Sequence, residues 1–493
     1  MAKQQENIRL TRRRLLGLLI VALPSAGLAA CGSTTTTAVT NSAVSKSVTT
    51  ASHTATSAAS AAPATGKITV HWLLRSDMGP FITKWEQQTA RDYERAHPNV
   101  TINSIGVTWA QYNAKLLAMF AAGDIPEVFA TFAAGFGTFL INEALADLKP
   151  YLARDKVTVT NVFEKSAIEA LTHFGKLLGL PMGSFGTHLF YNATLFKKAG
   201  LKLPPSSWTD TSWTLDRMLE SAQKMTHDIN NPQKGEWGVV FSAQQLGVMS
   251  WLWGIDPFNE KGGPQYTKAY QTAKLTHVYY TNSKFVEAMQ WIADLPLKYK
   301  AGPLPADINA IEQGLGDPFI TGRVGLYLNG QWELQSLKTI GPKWQWGVAP
   351  LPWGPGKVNT TPLYNDSWLL GKKAKQPEAG FEFLKYLTMG PPATGYSEGT
   401  GFFPALLSLY DKAVASYAAI PGASQSKEEI KAVLTGAFSH GYVTPGKTLA
   451  NYNEFNTAWG QGTSPIWNGQ ATAAAQLPKV QQKFQNIIHS LGW

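Results

Sequence analysis

From residue 67 onward the hydrophobic positions recur with two alternating periods. Residues 67–74 (KITVHWLL) form a short apolar run rich in β-branched side chains, which reads as an opening strand. Residues 85–97 place apolar positions at helical spacing and stop at Pro98, so a helix is expected there. Residues 100–107 alternate into a second strand, 111–122 read as a helix ended by Gly123, and 127–132 as a third short strand. This order predicts an α/β fold, with a parallel sheet and helices on its faces. In such sheets ligands gather beyond the carboxyl ends of the strands, which brings Arg75, Ser76, Asp77, Thr108, Trp109, Thr131 and Phe132 near one crevice. Further along, 216–226, 285–299, 377–387 and 477–491 read as amphipathic helices, and 236–241, 324–328 and 346–349 as strands. There is no repeat of fixed period.

The pattern before residue 67 differs. Residues 1–30 carry Lys3, Arg9, Arg12, Arg13 and Arg14 against Glu6, followed by an uncharged stretch over 15–30. That stretch is short for a membrane span and suits a signal peptide. It ends in LAACG, similar to a lipobox, with Cys31 where a lipidated cysteine belongs. Residues 11–16 (TRRRLL) also resemble a twin-arginine export signal, although a plain basic leader accounts for them almost as well. Residues 31–66 then form a Ser/Thr/Ala-rich tether with too little apolar surface for a core, expected to be disordered. An exported body, lipid-anchored at the outer face of the cell membrane, is the expectation.

Composition alters one first impression. The chain has 493 residues and a net charge of +10. A basic balance points first to nucleic acid or an anionic surface. Four of these charges lie in the leader, however, and the rest are spread singly with no dense stripe, which argues against nucleic acid. Cys31 is the sole cysteine, so no structural disulfide is available.

Signals for catalysis and cofactors are weak. The nine histidines form no His-Glu-x-x-His pair, and there is no phosphate-binding P-loop or nucleophile elbow. Residues 399–404 (GTGFFP) begin like a dinucleotide fingerprint but place Pro404 at the third glycine, and 228–232 (DINNP) read as a polar turn rather than a calcium loop. No cofactor, no metal and no enzymatic activity are expected. A carboxylate pair for glycoside chemistry, drawn from Asp77, Asp366 and Glu398, remains the enzymatic alternative.

Tryptophan is the informative excess: there are seventeen, several of them in loops beside Gly, Asn or Pro. A flat aromatic ring suits the C–H face of a sugar, and polar neighbours bond its hydroxyls.

Several segments, taken in order, resemble the extracellular solute-binding proteins of sugar ABC transporters, the maltose-binding-protein-like family. These are 93–100 (YERAHPNV), 109–112 (WAQY), 115–128 (KLLAMFAAGDIPEV), 179–181 (GLP) with 189–201 (LFYNATLFKKAGL), 204–208 (PPSSW), 319–332 (FITGRVGLYLNGQW) and 348–352 (VAPLP). Three departures stand out. Glu127 replaces a usual Asp, which bears on a local cap. Residues 209–212 are inserted before Trp213. NDSW at 365–368 stands where many members have a Gly-Gly stretch, which predicts a bulkier pocket floor.

The resemblance implies a two-lobed periplasmic-binding-protein-like fold of type II, each lobe a sheet flanked by helices. Lobe I would span 67–181 and 351–390, and lobe II 182–350 and 391–493. A mono- or oligosaccharide would bind in the cleft between them, and hinge closure would present the closed form, as a monomer, to membrane permease subunits. Trp332 matches a sugar-stacking aromatic of the family. Trp109, Trp251, Trp253, Trp368 and Phe185 are further stacking candidates, and Arg75, Asp77, Gln244, Asp366 and Glu398 are candidates for sugar hydroxyls. A polyamine, a metal chelate or glycerol phosphate is the alternative ligand on the same fold.

Overall fold

The computed structural model describes residues 66–132, 135–229, 231, 234–259 and 268–493. The leader, Cys31 and the tether to residue 65 lie outside the described residues. So do parts of the polar turn at 228–232.

Among the described residues one sheet of nine strands organises the body, in the order β2-β1-β3-β10-β6-β8-β7, with β11 paired to β10 and β9 to β6. Strands β1 (Ile68–Arg75), β2 (Val100–Val107) and β3 (Val128–Thr131) are parallel, as the sequence pattern predicts. At the other end β7 (Trp237–Val240) runs parallel to β8 (Val324–Gly330). The strands between are antiparallel: β6 (Leu180–Asn192) pairs with β10 (Thr361–Leu370), with β8 and with β9 (Trp346–Ala349). Strand β11 (Gly441–Val443) extends β10 at its start, and a small hairpin pairs β4 (Thr172–His173) with β5 (Lys176–Leu177).

β6 and β10 were not among the expected strands. Every one of their residues is buried, so neither shows the alternation that marks a half-exposed strand.

Apolar side chains collect on either side of these long strands. One core holds Trp72, Tyr112, Phe129, Trp368 and Phe383. The other side has two adjoining clusters, one around Trp213, Trp253 and Phe285 and one around Phe190, Trp344 and Trp346. Two segments pack otherwise than the expected lobe limits. Helix Pro392–Thr400 joins the first core, because Trp85 meets Tyr396 at 5.2 Å and donates its indole N–H to Pro392 O at 3.0 Å. Leu351 and Tyr364 lie in the clusters of the second side.

Helix starts follow local chemistry. Thr214, Ser426 and Thr472 each accept a backbone N–H at the head of Leu215–Met225, Lys427–His440 and Ala473–Ser490. The last of these starts four residues before the expected 477. Glu127, the departure noted above, is 1% exposed and its carboxylate accepts the N–H groups of His71, Lys375 and Gln376. It thereby fastens the entry of helix Pro377–Met389 to β1. Among the described residues no helix is long and apolar enough to cross a membrane.

Two buried polar groups set up measurable consequences. The Tyr112 hydroxyl donates to Leu73 O and accepts from Ala130 N–H, both at 3.0 Å, tying β1 to β3 near their carboxyl ends. Tyr112→Phe leaves both backbone groups unpaired, and a loss of about 1–3 kcal/mol is expected in denaturant unfolding. Glu333, 1% exposed, accepts one hydrogen bond from Asn329 at 2.9 Å and leaves Oε1 without a partner. Burial, with the Asp317 charge adding to it, pushes its pKa up from 4.5 to about 9. The folded state thus keeps a proton that the unfolded chain releases, so Glu333 makes stability fall as pH rises between these values. In melting curves taken across that range, Glu333→Gln is expected to flatten the fall.

Candidate functional site

The parallel strands β1, β2 and β3 end together, and the loops beyond them face the ends of β7 and β8 across β6 and β10. Between lies a cavity of about 620 Å³. From one side it is lined by Arg75, Met78, Trp109 and Phe132; from the other by Gln244, Gln245, Trp332, Gln335 and Ser336. Phe185 of β6 and Tyr364 and Asp366 of β10 form its floor, with Thr400 and Phe402 closing one end.

The first wall is built around Asp77. Its carboxylate takes the Arg75 Nε–H at 2.6 Å through one oxygen and the Trp109 backbone N–H at 2.9 Å through the other. Burial raises its pKa, but the bonds to Arg75 and Trp109 outweigh that and hold it below the usual carboxylate range. Arg75 in turn lies over the Trp109 ring at 4.9 Å. The ring, 44% exposed, stands at the rim with its edge towards Phe132. Asp77 is therefore a support for two lining residues rather than a lining residue itself.

The second wall is aromatic. Trp332 meets Tyr364 at 5.2 Å and Phe185 at 6.0 Å, both nearly perpendicular, while Phe402 stacks on Phe185 at 4.7 Å. Gly330 explains how the indole is seated: a Cβ there would come within 2.1 Å of the Trp332 ring. The loop after β7 presents two carboxamides. Gln244 adopts φ 54°, ψ −171°, a conformation seldom taken by any residue but glycine, and its Oε1 accepts the Tyr364 hydroxyl at 3.3 Å.

Asp366 is the ionisable group of the floor. It is 4% exposed, and its carboxylate accepts no hydrogen bond from the described residues. Burial pushes its pKa upward, against the pull of Lys447 and Arg75.

The cavity thus gathers Arg75, Trp109, Phe185, Gln244, Trp332 and Asp366 of the residues expected at the ligand. Four others lie elsewhere. Trp368 shares the face of Asp366 by alternation, but two residues further along β10 that face is covered, and Trp72 meets its ring at 5.6 Å. Trp251 and Trp253 are 1% and 2% exposed. The first has its edge on Tyr442; the second packs on Trp291 and bonds Glu287. Glu398 points outward and pairs with Lys412 at 2.8 Å. Of the three acids weighed for glycoside chemistry, Asp366 alone lines the cavity. Among the described residues no group of three His, Cys, Asp or Glu side chains is placed to hold a metal.

Sequence reasoning missed Tyr364, Phe402, Gln245 and Gln335. Tyr364 sits in an unbroken buried run, and the glutamines carry no local signature. A second cavity, of about 500 Å³ between Leu140, His173 and Lys274, holds none of the expected residues.

Known proteins give this geometry its context. An ABC substrate-binding protein of Listeria monocytogenes, solved in complex with cycloalternan, superposes with a TM-score of 0.69 at 19% identity, covering 87% of this chain and all of that one. Maltose-bound MalE3 of T. maritima gives 0.63 at 18% identity over 85% of this chain and 100% of its own. Among curated relatives, the sn-glycerol-3-phosphate-binding periplasmic protein UgpB of Rhizobium meliloti is 23% identical, over 60% of this chain and 66% of its own. The fold is the two-lobed type II periplasmic-binding fold of the MalE kind. A family model described as bacterial extracellular solute-binding protein matches residues 88–422, and the chain belongs to that family.

Proposed function

We propose that this chain is the substrate-binding component of an ABC importer, and that it captures a neutral mono- or oligosaccharide in the cleft. The observation that carries this reading is the mixed lining of the cavity. Trp332, Phe185 and Tyr364 present apolar ring surface beside the Asp366 carboxylate and the Gln244 and Gln245 carboxamides. A sugar offers the same mixture, with C–H faces for the rings and hydroxyl donors for Asp366.

The charges favour a neutral ligand over glycerol phosphate, the ligand named for several relatives. Arg75 is already engaged by Asp77, and Asp366 would face a phosphate with like charge. Delivery would follow from hinge closure of two lobes meeting at β6 and β10, the closed form docking on a permease. Lipid attachment through Cys31, after removal of residues 1–30, would hold the protein at the outer membrane face.

The test is a thermal-shift panel of neutral sugars, sn-glycerol 3-phosphate and polyamines. An upward shift with sugars alone is expected; a shift with the phosphate alone overturns the reading. The sugar should be recovered unaltered in mass, since cleavage that depends on Asp366 would mean an enzyme. By isothermal titration, Trp332→Ala is expected to weaken the best sugar about 30-fold, the equivalent of ~2 kcal/mol.

A further inference from the structure

The hairpin of β4 and β5 holds an aromatic ring out in water. Thr172 pairs with Leu177 and His173 with Lys176, so Phe174 and Gly175 are the two residues of its turn. Both have positive φ, 49° and 76°, as a two-residue hairpin turn requires. Glycine takes that conformation freely, whereas a bulky side chain is strained in it. The strained residue gains no burial in return. Phe174 is 67% exposed, the most exposed large apolar side chain among the described residues. Lys149 fixes the tip by donating from Nζ to Gly175 O at 2.6 Å.

The ring stands beside apolar surface with a basic rim. Phe174 lines the second cavity, of about 500 Å³, together with Phe139, Leu140 and Leu178. Lys176, Lys274 and Lys372 line it too, all three exposed, and Glu143 is the single acid among its described lining residues. Glu143 lies 3.3 Å from Lys372. The Asp147 carboxylate is also close, accepting the Leu177 N–H at 3.1 Å. Even with both acids counted against these three lysines and Lys149, positive charge is in surplus around the exposed ring.

The strand register fixes where this face lies. β10 runs antiparallel to β3 with Leu370 opposite Val128, and the Gly371 N–H bonds Glu127 O, so Lys372 lies beyond the amino end of β3. The hairpin precedes β6, whose first residue Leu180 is opposite Trp368, and stands at the same end. β1 is parallel to β3 with Trp72 opposite Val128, so Ile68 starts there as well. The basic face and the point where the preceding chain joins the body thus share one end of the sheet. The cavity that Arg75 lines, at the carboxyl end of β1, lies at the other.

We propose that this end of the body is a contact for an anionic membrane surface, with Phe174 entering the headgroup layer and Lys149, Lys176, Lys274 and Lys372 facing lipid phosphates. An apolar tip within a basic rim is the chemistry of an interfacial membrane contact. The choice of a membrane over an acidic protein rests on the anchor reading, since a leash from Cys31 enters the body at this end. The contact leaves the cleft uncovered, so an anchored protein takes up ligand while lying on the membrane.

Fluorescence on the full-length chain tests this. Cys31 is the sole cysteine, so with Cys31→Ser a bimane probe is placed at Phe174→Cys, or at Leu304→Cys, an exposed position near β7 at the other edge of the sheet. With vesicles of equal parts phosphatidylglycerol and phosphatidylcholine, the first probe shifts to shorter wavelength and is quenched by nitroxide lipids, and the second is not. Combining Lys176→Gln, Lys274→Gln and Lys372→Gln raises the lipid needed for half the shift about ten-fold or more, and high salt acts the same way. The substituted side chains are exposed, and an unchanged melting curve checks the fold. A first probe that vesicles leave unmoved, an equal response from the second, or indifference to the lysine substitutions overturns the proposal. So does a shift with polyglutamate and none with vesicles, which assigns the face to an acidic protein. The anchor is decided separately, by the mass of the Cys31 peptide from the unaltered chain recovered from bacterial membranes. An unmodified Cys31 ends the anchor reading, while the vesicles still decide the surface.

Discussion

Strands β6 and β10 pair antiparallel from Leu363↔Gly186 to Trp368↔Leu180, and both are buried along their whole length. Beyond their shared ladder, each bonds to a different half of the sheet. β10 reaches β3 through residues 367–370, and β6 reaches β8 and β9 through residues 187–192. The two parallel halves of the sheet are joined through this one ladder. It also supplies the floor residues Phe185, Tyr364 and Asp366, so cleft geometry and lobe connection rest on the same backbone hydrogen bonds. A register slip of one residue would turn Asp366 away from the cavity and bring a neighbour in its place.

The walls depend on the floor in different ways. On one side a carboxylate organises the wall: Asp77 takes the Arg75 guanidinium and the Trp109 N–H and fixes a cation and an indole at the rim. On the other side shape organises it, because the Trp332 ring lies where only a glycine at 330 leaves room. The first arrangement is electrostatic and exposed, hence open to adjustment. The second is close-packed against Tyr364 and Phe185, hence stiff. A rigid aromatic platform facing a more adaptable polar rim suits a ligand gripped by two lobes that approach each other.

How far the sequence revealed this varied with the kind of signal. The opening βαβαβ order was readable because its strands are short apolar or alternating runs and its helices keep their period and end at Pro98 and Gly123. The central strands were not, since a run such as TPLYNDSWLL is buried on every side and has no period. The same limit acted on the site. Arg75 and Trp109 were singled out by their place at strand ends and Trp332 by the family resemblance, and all three line the cavity. Trp251, Trp253 and Trp368 have the right chemistry and lie under other side chains, which composition does not reveal. Lys447, in the Thr-Pro-Gly-Lys segment at 444–447, drew no notice in the sequence, and only the packing of Phe136 and the β3–β10 ends shows it enclosed.

The charges of the cleft bear on how binding could drive closure. Closing two walls removes water from whatever lies between them, and a lone charge resists that strongly. Here Arg75 has Asp77 beside it, so closing over that pair demands little. The Asp366 carboxylate differs: it lines the cavity and accepts no hydrogen bond from the described residues. Closing an empty cleft would dry those acceptors without replacing their water. A ligand rich in hydroxyl groups replaces that water and covers the rings at the same time. A ligand shifts a conformational equilibrium only by its difference in affinity for the two states. Under the proposed sugar reading, that difference would come chiefly from Asp366 and the rings around it.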